Sequence, residues 1–386
     1  MKKIWVLLIS LSLLLPLTVK ANENSELIPN AKAGILMDST TGTIIFDKNK
    51  DEKLSVASMT KMVAQIIILE KIEQGKLKWT DKVTASENAE SMGGSQIYLT
   101  KGEILTVEEM MKGISMASAN DATVAMAEHI AGSEVEFVKL MNKKVKDLNL
   151  KNTHFKNCTG LDEEDHYSTA YDMAIIAKEL LNHQKILEFS SVYEDYLRQN
   201  TENKFWLVNT NKLVRFYEGT DGLKTGHTDA AKYCLAATAK KNNLRLIAIV
   251  LGEENSKVRN SETMNLLDYG FNNYKIKILK KKNDILKKVK IDKATQNHIE
   301  ITPLNDVAIL SKKNEEDKKY TYDIKLDKLN LPLKKGTTVG KIIIKNNNKK
   351  IKEESLTVKQ DINPLSFIKL FKKSITDILT GKISFN

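Results

Sequence analysis

Apolar positions over residues 33–47 fall into two strand-length runs, Ala33-Gly34-Ile35-Leu36-Met37 and Thr43-Ile44-Ile45-Phe46. Ser39-Thr40-Thr41-Gly42 between them has turn composition, so the segment predicts a β-hairpin. The next apolar run, Met62-Val63-Ala64-Ile66-Ile67-Ile68-Leu69, has the length of a helix; Ser58 opens it and Gly75 ends it. Its apolar residues cover most of the circumference, which predicts a helix buried at the centre of its domain. Residues 106–131 read as helix in two pieces, Val107 to Ile114 and Asp121 to Ile130, with Ser118-Ala119-Asn120 at the break. Tyr171 to Leu181 predicts a further helix. Tyr233 to Ala239 and Leu244 to Leu251 are apolar strand-length runs joined by Lys240-Lys241-Asn242-Asn243, a second hairpin, and Met264 to Phe271 is helical. Strands, then helices, then strands and a helix predict an α+β fold with an antiparallel sheet and a helical cluster.

The pattern changes near Tyr274. From 275 to 361 the chain is Lys-rich and carries short alternating runs such as Ile299-Glu300-Ile301-Thr302, Tyr322-Asp323-Ile324-Lys325-Leu326 and Val339-Gly340-Lys341-Ile342-Ile343-Ile344. Long apolar helices are missing there, which predicts a small separate all-β domain following a larger one over 25–274. Residues 364–386 form another segment. Ile368, Phe371, Ile375, Ile378 and Leu379 follow helical spacing, with Lys369, Lys372 and Lys373 on the flanks and opposite side. This predicts a basic amphipathic helix, either lying in a membrane interface, the reading favoured by its charge, or docked on the β domain.

At the other end, Lys2 and Lys3 precede an apolar stretch from Ile4 to Val19, and Val19-Lys20-Ala21 suits signal-peptidase cleavage. Residues 1–21 therefore read as a secretory signal, with the mature chain starting near Asn22. No later run approaches the roughly 18 apolar residues of a membrane span, so a multi-span protein is excluded. The 386 residues are 41% hydrophobic, enough for packed cores, and a mostly disordered chain is excluded too. The formal net charge is +11, and loss of Lys2, Lys3 and Lys20 with the leader leaves +8. In an exported protein this excess reads as a solvated Lys-rich surface rather than a nucleic-acid footprint. Cys158 and Cys234 lie in no CxxC spacing and read as small buried hydrophobes. His129, His154, His166, His183, His227 and His298 form no HExxH-type pair, so spacing predicts no metal.

The chemistry resides in three strings that occur in order: Ser58-Met59-Thr60-Lys61 (S-x-x-K), Ser118-Ala119-Asn120 (S-x-N) and Lys224-Thr225-Gly226 (K-T-G). Taken singly, Ser58 is an N-cap, Asn120 a turn residue and Lys224 a solvated strand lysine; the ordered triple points elsewhere. Ser58 and Lys61 share a helical face, which places an amine beside a hydroxyl. Serine is a weak nucleophile that needs a base, and lysine is a base only when its pKa falls through burial or a neighbouring cation, here Lys224. Ser118 can relay a proton toward a leaving amine, and Asn120 can hold a substrate amide through donor and acceptor together. Gly226 has no side chain, so an extended peptide can lie along the Lys224 strand. The backbone N–H groups of Ser58 and His227 are candidates for an oxyanion hole.

With these strings, Gly160-Leu161-Asp162, Ser168-Thr169-Ala170-Tyr171-Asp172-Met173-Ala174, Asp221-Gly222-Leu223-Lys224-Thr225-Gly226-His227-Thr228 and Leu266-Leu267-Asp268-Tyr269-Gly270-Phe271, the chain resembles the low-molecular-weight penicillin-binding proteins of the D-alanyl-D-alanine carboxypeptidase family over about residues 25 to 275. The resemblance implies a β-lactamase/transpeptidase-like sheet with a helical cluster, and release of the terminal D-alanine from peptidoglycan stem pentapeptides at the outer face of the cytoplasmic membrane. It also implies acylation by β-lactams and no cofactor. By position it makes Ser58 the nucleophile, Lys61 the base, Ser118 a proton relay and Asn120 a substrate ligand. Lys224, Thr225 and Arg259 would receive the substrate carboxylate. The chain departs from the family at Asn157-Cys158-Thr159-Gly160, where histidine often precedes the glycine. A β-lactamase is the enzymatic rival; class A members add a glutamate that activates the deacylating water, for which Glu163 and Glu164 are the nearby acids. A non-catalytic wall scaffold is the second rival, disfavoured because a binder has no need of Lys61.

Overall fold

The computed structural model describes residues 27–291, 293–316 and 318–380, so the leader read over 1–21 lies outside the described residues. A five-stranded sheet contains β1 (Ala33–Asp38), β2 (Ile44–Lys48), β3 (Thr220–Thr228), β4 (Lys232–Lys241) and β5 (Leu244–Glu253) in the order β2-β1-β5-β4-β3. The two predicted hairpins are both present. The first and last strands in sequence pair at its centre: Lys32 N–H donates to Leu251 O and Ser39 N–H to Arg245 O, both at 2.9 Å, an antiparallel register. Every residue of β1 is buried, as is Leu246 through Leu251, which explains why these strands read as unbroken apolar runs rather than alternating ones.

The contacts divide the chain into two compact units. Among the described residues, one contains 27–36, Phe46–Thr238 and Ile247–Leu267; the other contains Met37–Ile45, Ala239–Leu246 and the described residues from Asp268 to 380. In the first unit the helices include α1 (Lys61–Glu73), α2 (Asn120–Ala131), α3 (Glu134–Asp147) and α4 (Ala170–Asn182). α1 is buried from Lys61 through Leu69 and packs on α2, α3 and α4, as its all-round apolar pattern predicted. Thr169 caps α4 by accepting the Asp172 N–H at 3.0 Å. Ser133 does the same for α3 through the Glu136 N–H at 3.2 Å.

Two local expectations need correction. Ser58 does not cap a helix: it lies inside a 3₁₀ turn, Ala57–Thr60, makes no capping bond, and the α-helix proper begins at Lys61. The predicted 264–271 helix is longer, spanning α5 (Ser256–Asn273). The break at 118–120 is confirmed with unusual geometry. A π-helical turn, Gly113–Ala117, ends at Ser118 in the left-handed conformation (φ 63°), and α2 restarts at Asn120.

In the second unit the Lys-rich segment is all β. Tyr274–Lys280 pairs with Val307–Lys312, and a five-stranded sheet runs Lys287–Lys290, His298–Pro303, Lys349–Val358, Gly340–Asn346, Thr321–Leu326 in spatial order. Ile299, Ile301, Ile342, Ile344, Leu356 and Val358 form its core while the lysines alternate outward. The segment closes with helix α6 (Phe367–Leu379), whose Phe367, Ile368, Phe371, Ile375, Ile378 and Leu379 are all exposed. Among the described residues no helix is long and apolar enough to cross a membrane.

Candidate active site

β3 packs against the 57–60 turn, and this contact assembles the site within the first unit. Gly226 makes the approach possible, because a Cβ there would stand 2.7 Å from Val56 O and 3.2 Å from Ala57 Cβ. A cleft of about 580 Å³ opens over the junction. Ser58, Ser118, Asn120, Thr225, Gly226, His227 and Arg259 all line it. Lys61 and Lys224 are fully buried beside it. The ordered strings from three distant parts of the sequence therefore converge on one place.

Lys61 Nζ donates to Ser58 Oγ at 2.8 Å and to the carbonyl oxygen of Thr159 at 2.7 Å. Burial is the largest influence on this amine and lowers its pKa to about 7, against smaller opposing pulls from Cys158 and Asp121. Lys224, expected from the sequence to share in that depression, is not among the influences on Lys61. In the structure burial does it, and the mutual repulsion falls on Lys224, whose pKa is held well below the lysine range by burial and then by Lys61 and Arg259. Lys224 Nζ donates to its neighbour's carbonyl, Thr225 O, at 3.0 Å, while Thr225 Oγ1 donates to Thr210 Oγ1 at 2.8 Å.

Asn120 is fixed by two contacts: its N–H donates to Ser95 O at 2.7 Å and its Nδ2 to Gly93 O at 2.6 Å. Its Oδ1 is buried without a partner, in a residue that lines the cleft. The following residue anchors the loop: Asp121 accepts from the N–H groups of Ile97 and Leu99. Arg259 is buried, with Nε and Nη2 donating to Asn260 Oδ1 at 3.1 and 2.8 Å. His227 is exposed at the rim and packs on Tyr233, with ring centroids 4.1 Å apart and planes tilted by 35°.

Several contributors were not visible in the sequence. The Thr159 carbonyl orients the base, and Gly160 beside it has φ 84° and presses on the nucleophile's own peptide. The departure from the family's usual pattern closes on itself, since Asn157 Oδ1 accepts from Gly160 N–H at 2.7 Å and Thr159 Oγ1 at 3.2 Å. Gly94, Leu161, Thr210, Lys212 and Tyr233 complete the walls. Only the Gly160 string carried a signal for any of them. Glu163 and Glu164 are exposed, and among the described residues the cleft lining contains no carboxylate.

A serine hydroxyl touching a buried lysine amine, beside a lysine-bearing β-strand, is an arrangement suited to acyl transfer through serine. Residues 19–255 match the peptidase S11 family, D-alanyl-D-alanine carboxypeptidase, and residues 274–364 match the C-terminal domain of penicillin-binding protein 5. The chain is 50% identical to D-alanyl-D-alanine carboxypeptidase DacF of Bacillus subtilis over 92% of its own length and 91% of the relative's. Among solved structures it is similar to penicillin-binding protein 5 of Haemophilus influenzae, with 32% identity, TM-score 0.69, and coverage of 86% of this chain and 98% of that one. Penicillin-binding protein D2 of Listeria monocytogenes in its ampicillin-bound form is 28% identical, with TM-score 0.57 over 63% of this chain and 98% of that one. The chain belongs to the D-alanyl-D-alanine carboxypeptidase family; it is an α+β enzyme, a hydrolase, with a C-terminal all-β domain.

Proposed function

We propose that Ser58 is the nucleophile that removes the terminal D-alanine from peptidoglycan stem peptides, with Lys61 as its base. The 2.8 Å contact from Lys61 Nζ to Ser58 Oγ carries the assignment. The neutral amine takes the hydroxyl proton as Oγ attacks the carbonyl carbon of the penultimate residue. The peptide C–N bond then breaks, and the leaving amine receives a proton through Ser118, which lines the same cleft. Water hydrolyses the resulting ester, returning the hydroxyl to Ser58. Asn120 Oδ1 accepts from a substrate amide. Lys224, Thr225 and Arg259 hold the terminal carboxylate, for which the guanidinium fork is well matched. The backbone N–H groups of Ser58 and His227 receive the oxyanion. β-Lactams enter by the same attack, and the cleft lining without a carboxylate favours a long-lived acyl-enzyme over β-lactamase turnover. The test is D-alanine release from a soluble peptide ending in D-Ala-D-Ala: wild type releases it and Ser58→Ala does not. Equal release by both would remove Ser58 from the mechanism.

We further propose that the chain is exported through its 1–21 leader, that residues 25–274 form the catalytic domain and 275–361 a spacer, and that the helix within 364–386 holds the enzyme on the outer face of the membrane. The exposed apolar residues of α6, with lysines at 369 and 372, support this. Deleting residues 364–386 is expected to move the protein from the membrane to the soluble fraction without loss of activity on a soluble peptide. A truncated form that still sediments with membranes would overturn the anchoring role.

A further inference from the structure

On the helical cluster, one ring nitrogen of His183 and one carboxylate oxygen each of Glu70 and Glu179 lie within 4.8 Å of one another. Glu70 belongs to α1 and Glu179 to α4, and His183 follows α4 directly. His183 is 6% exposed. Its Nδ1 lies 2.9 Å from Glu73 Oε1, so a carboxylate satisfies that nitrogen. Nε2 is buried with no hydrogen-bond partner. A buried imidazole with one nitrogen satisfied by a carboxylate and the other left bare is an electrostatic loss for a structural histidine. It is the arrangement found where a carboxylate orients a histidine toward a metal. The neighbouring groups are polar: Lys144 pairs with Glu70, and Asn182 Nδ2 donates to Glu179 Oε2 at 2.8 Å.

We propose that Glu70, Glu179 and His183 form a divalent-cation site, selective for zinc over magnesium, that ties α1 to α4. One imidazole nitrogen and two carboxylates suit zinc, whereas magnesium prefers all-oxygen shells and retains its waters. The half-exposed glutamates have freedom to close the ligand spacing to the roughly 3.4 Å that a tetrahedral ion at about 2.1 Å from each ligand requires. Sequence spacing predicted no metal because the ligands come from helices about a hundred residues apart, not from one motif. The site lies toward the far end of α1 from Lys61, so it acts on the helical scaffold and not on the reaction.

The test titrates metal-stripped full-length protein with zinc chloride alone, followed by calorimetry and by thermal melting. Wild type is expected to bind one equivalent with micromolar or tighter affinity and to melt higher with zinc. Glu179→Gln and His183→Gln are each expected to weaken binding at least tenfold and to lose the zinc-dependent rise. Unchanged melting of metal-free Glu179→Gln establishes that the half-exposed variant is folded. No saturable binding by wild type, or binding that either variant leaves unchanged, would overturn the site, as would magnesium binding as tightly as zinc.

Discussion

Replacing Lys61 with methionine is expected to lower the rate of β-lactam acylation, and of D-alanine release, by about a thousandfold, the scale of a positioned general base. Methionine keeps the length and apolar volume of the side chain in a fully buried position, so the fold should persist. The amine is lost, and with it the contacts to Ser58 Oγ at 2.8 Å and to Thr159 O at 2.7 Å. The wild-type pH profile should carry the signature of the same group. Burial holds the Lys61 pKa near 7, and the neutral amine is the active form, so acylation should rise with pH through about 7 and then level. In Lys61→Met that rise should vanish. Stopped-flow acylation by a chromogenic cephalosporin measures both; a variant within tenfold of wild type with an unchanged profile would assign the base elsewhere.

Gly160→Ala is the second large effect. A Cβ at this position would lie 2.0 Å from Ala57 O, 2.3 Å from Ala57 C and 2.9 Å from Ser58 N. These are backbone atoms of the strained turn that presents the nucleophile: Ala57 itself has φ 48°. The methyl group cannot be accommodated by a rotamer change, and Gly160 also has φ 84°. The loop must retreat, taking the Thr159 carbonyl away from Lys61 Nζ. We expect about 3 kcal/mol of destabilisation and at least a hundredfold slower acylation. Gly132→Ala supplies the contrast, since Gly132 has φ 81° with nothing within 4 Å of an added Cβ. It should cost about 1 kcal/mol and leave acylation unchanged. Denaturant melts and acylation rates of the pair separate backbone strain from damage to the site.

The contrast between these two glycines also shows what the sequence made legible. The nucleophile, base and strand lysine sit in short strings whose chemistry is local, so they were readable, and so were both hairpins of the main sheet and the buried helix α1. Helix α3 was not, although its core residues Phe137, Val138, Met141 and Val145 keep helical spacing among exposed lysines and glutamates. The 3₁₀ entry at Ala57–Thr60 was misread as a capped helix start because the positive φ of Ala57 is imposed by the packing of Gly160 and Gly226 against it, contacts made across more than a hundred residues of chain. Burial as a cause of the low Lys61 pKa was legible, but its weight against the Lys224 repulsion was not, for a similar reason. A sequence shows that two lysines converge, but not that burial outweighs the repulsion between them. Arg259, placed in the site by the family resemblance and not by its own pattern, lines the cleft near the start of α5 at Ser256.

Mass spectrometry of the intact and digested protein after treatment with benzylpenicillin tests the central claim most directly. One covalent penicilloyl group per chain is expected, on the peptide containing Ser58, and Ser58→Ala should carry none. An adduct on another residue, or one that survives in Ser58→Ala, would contradict the account.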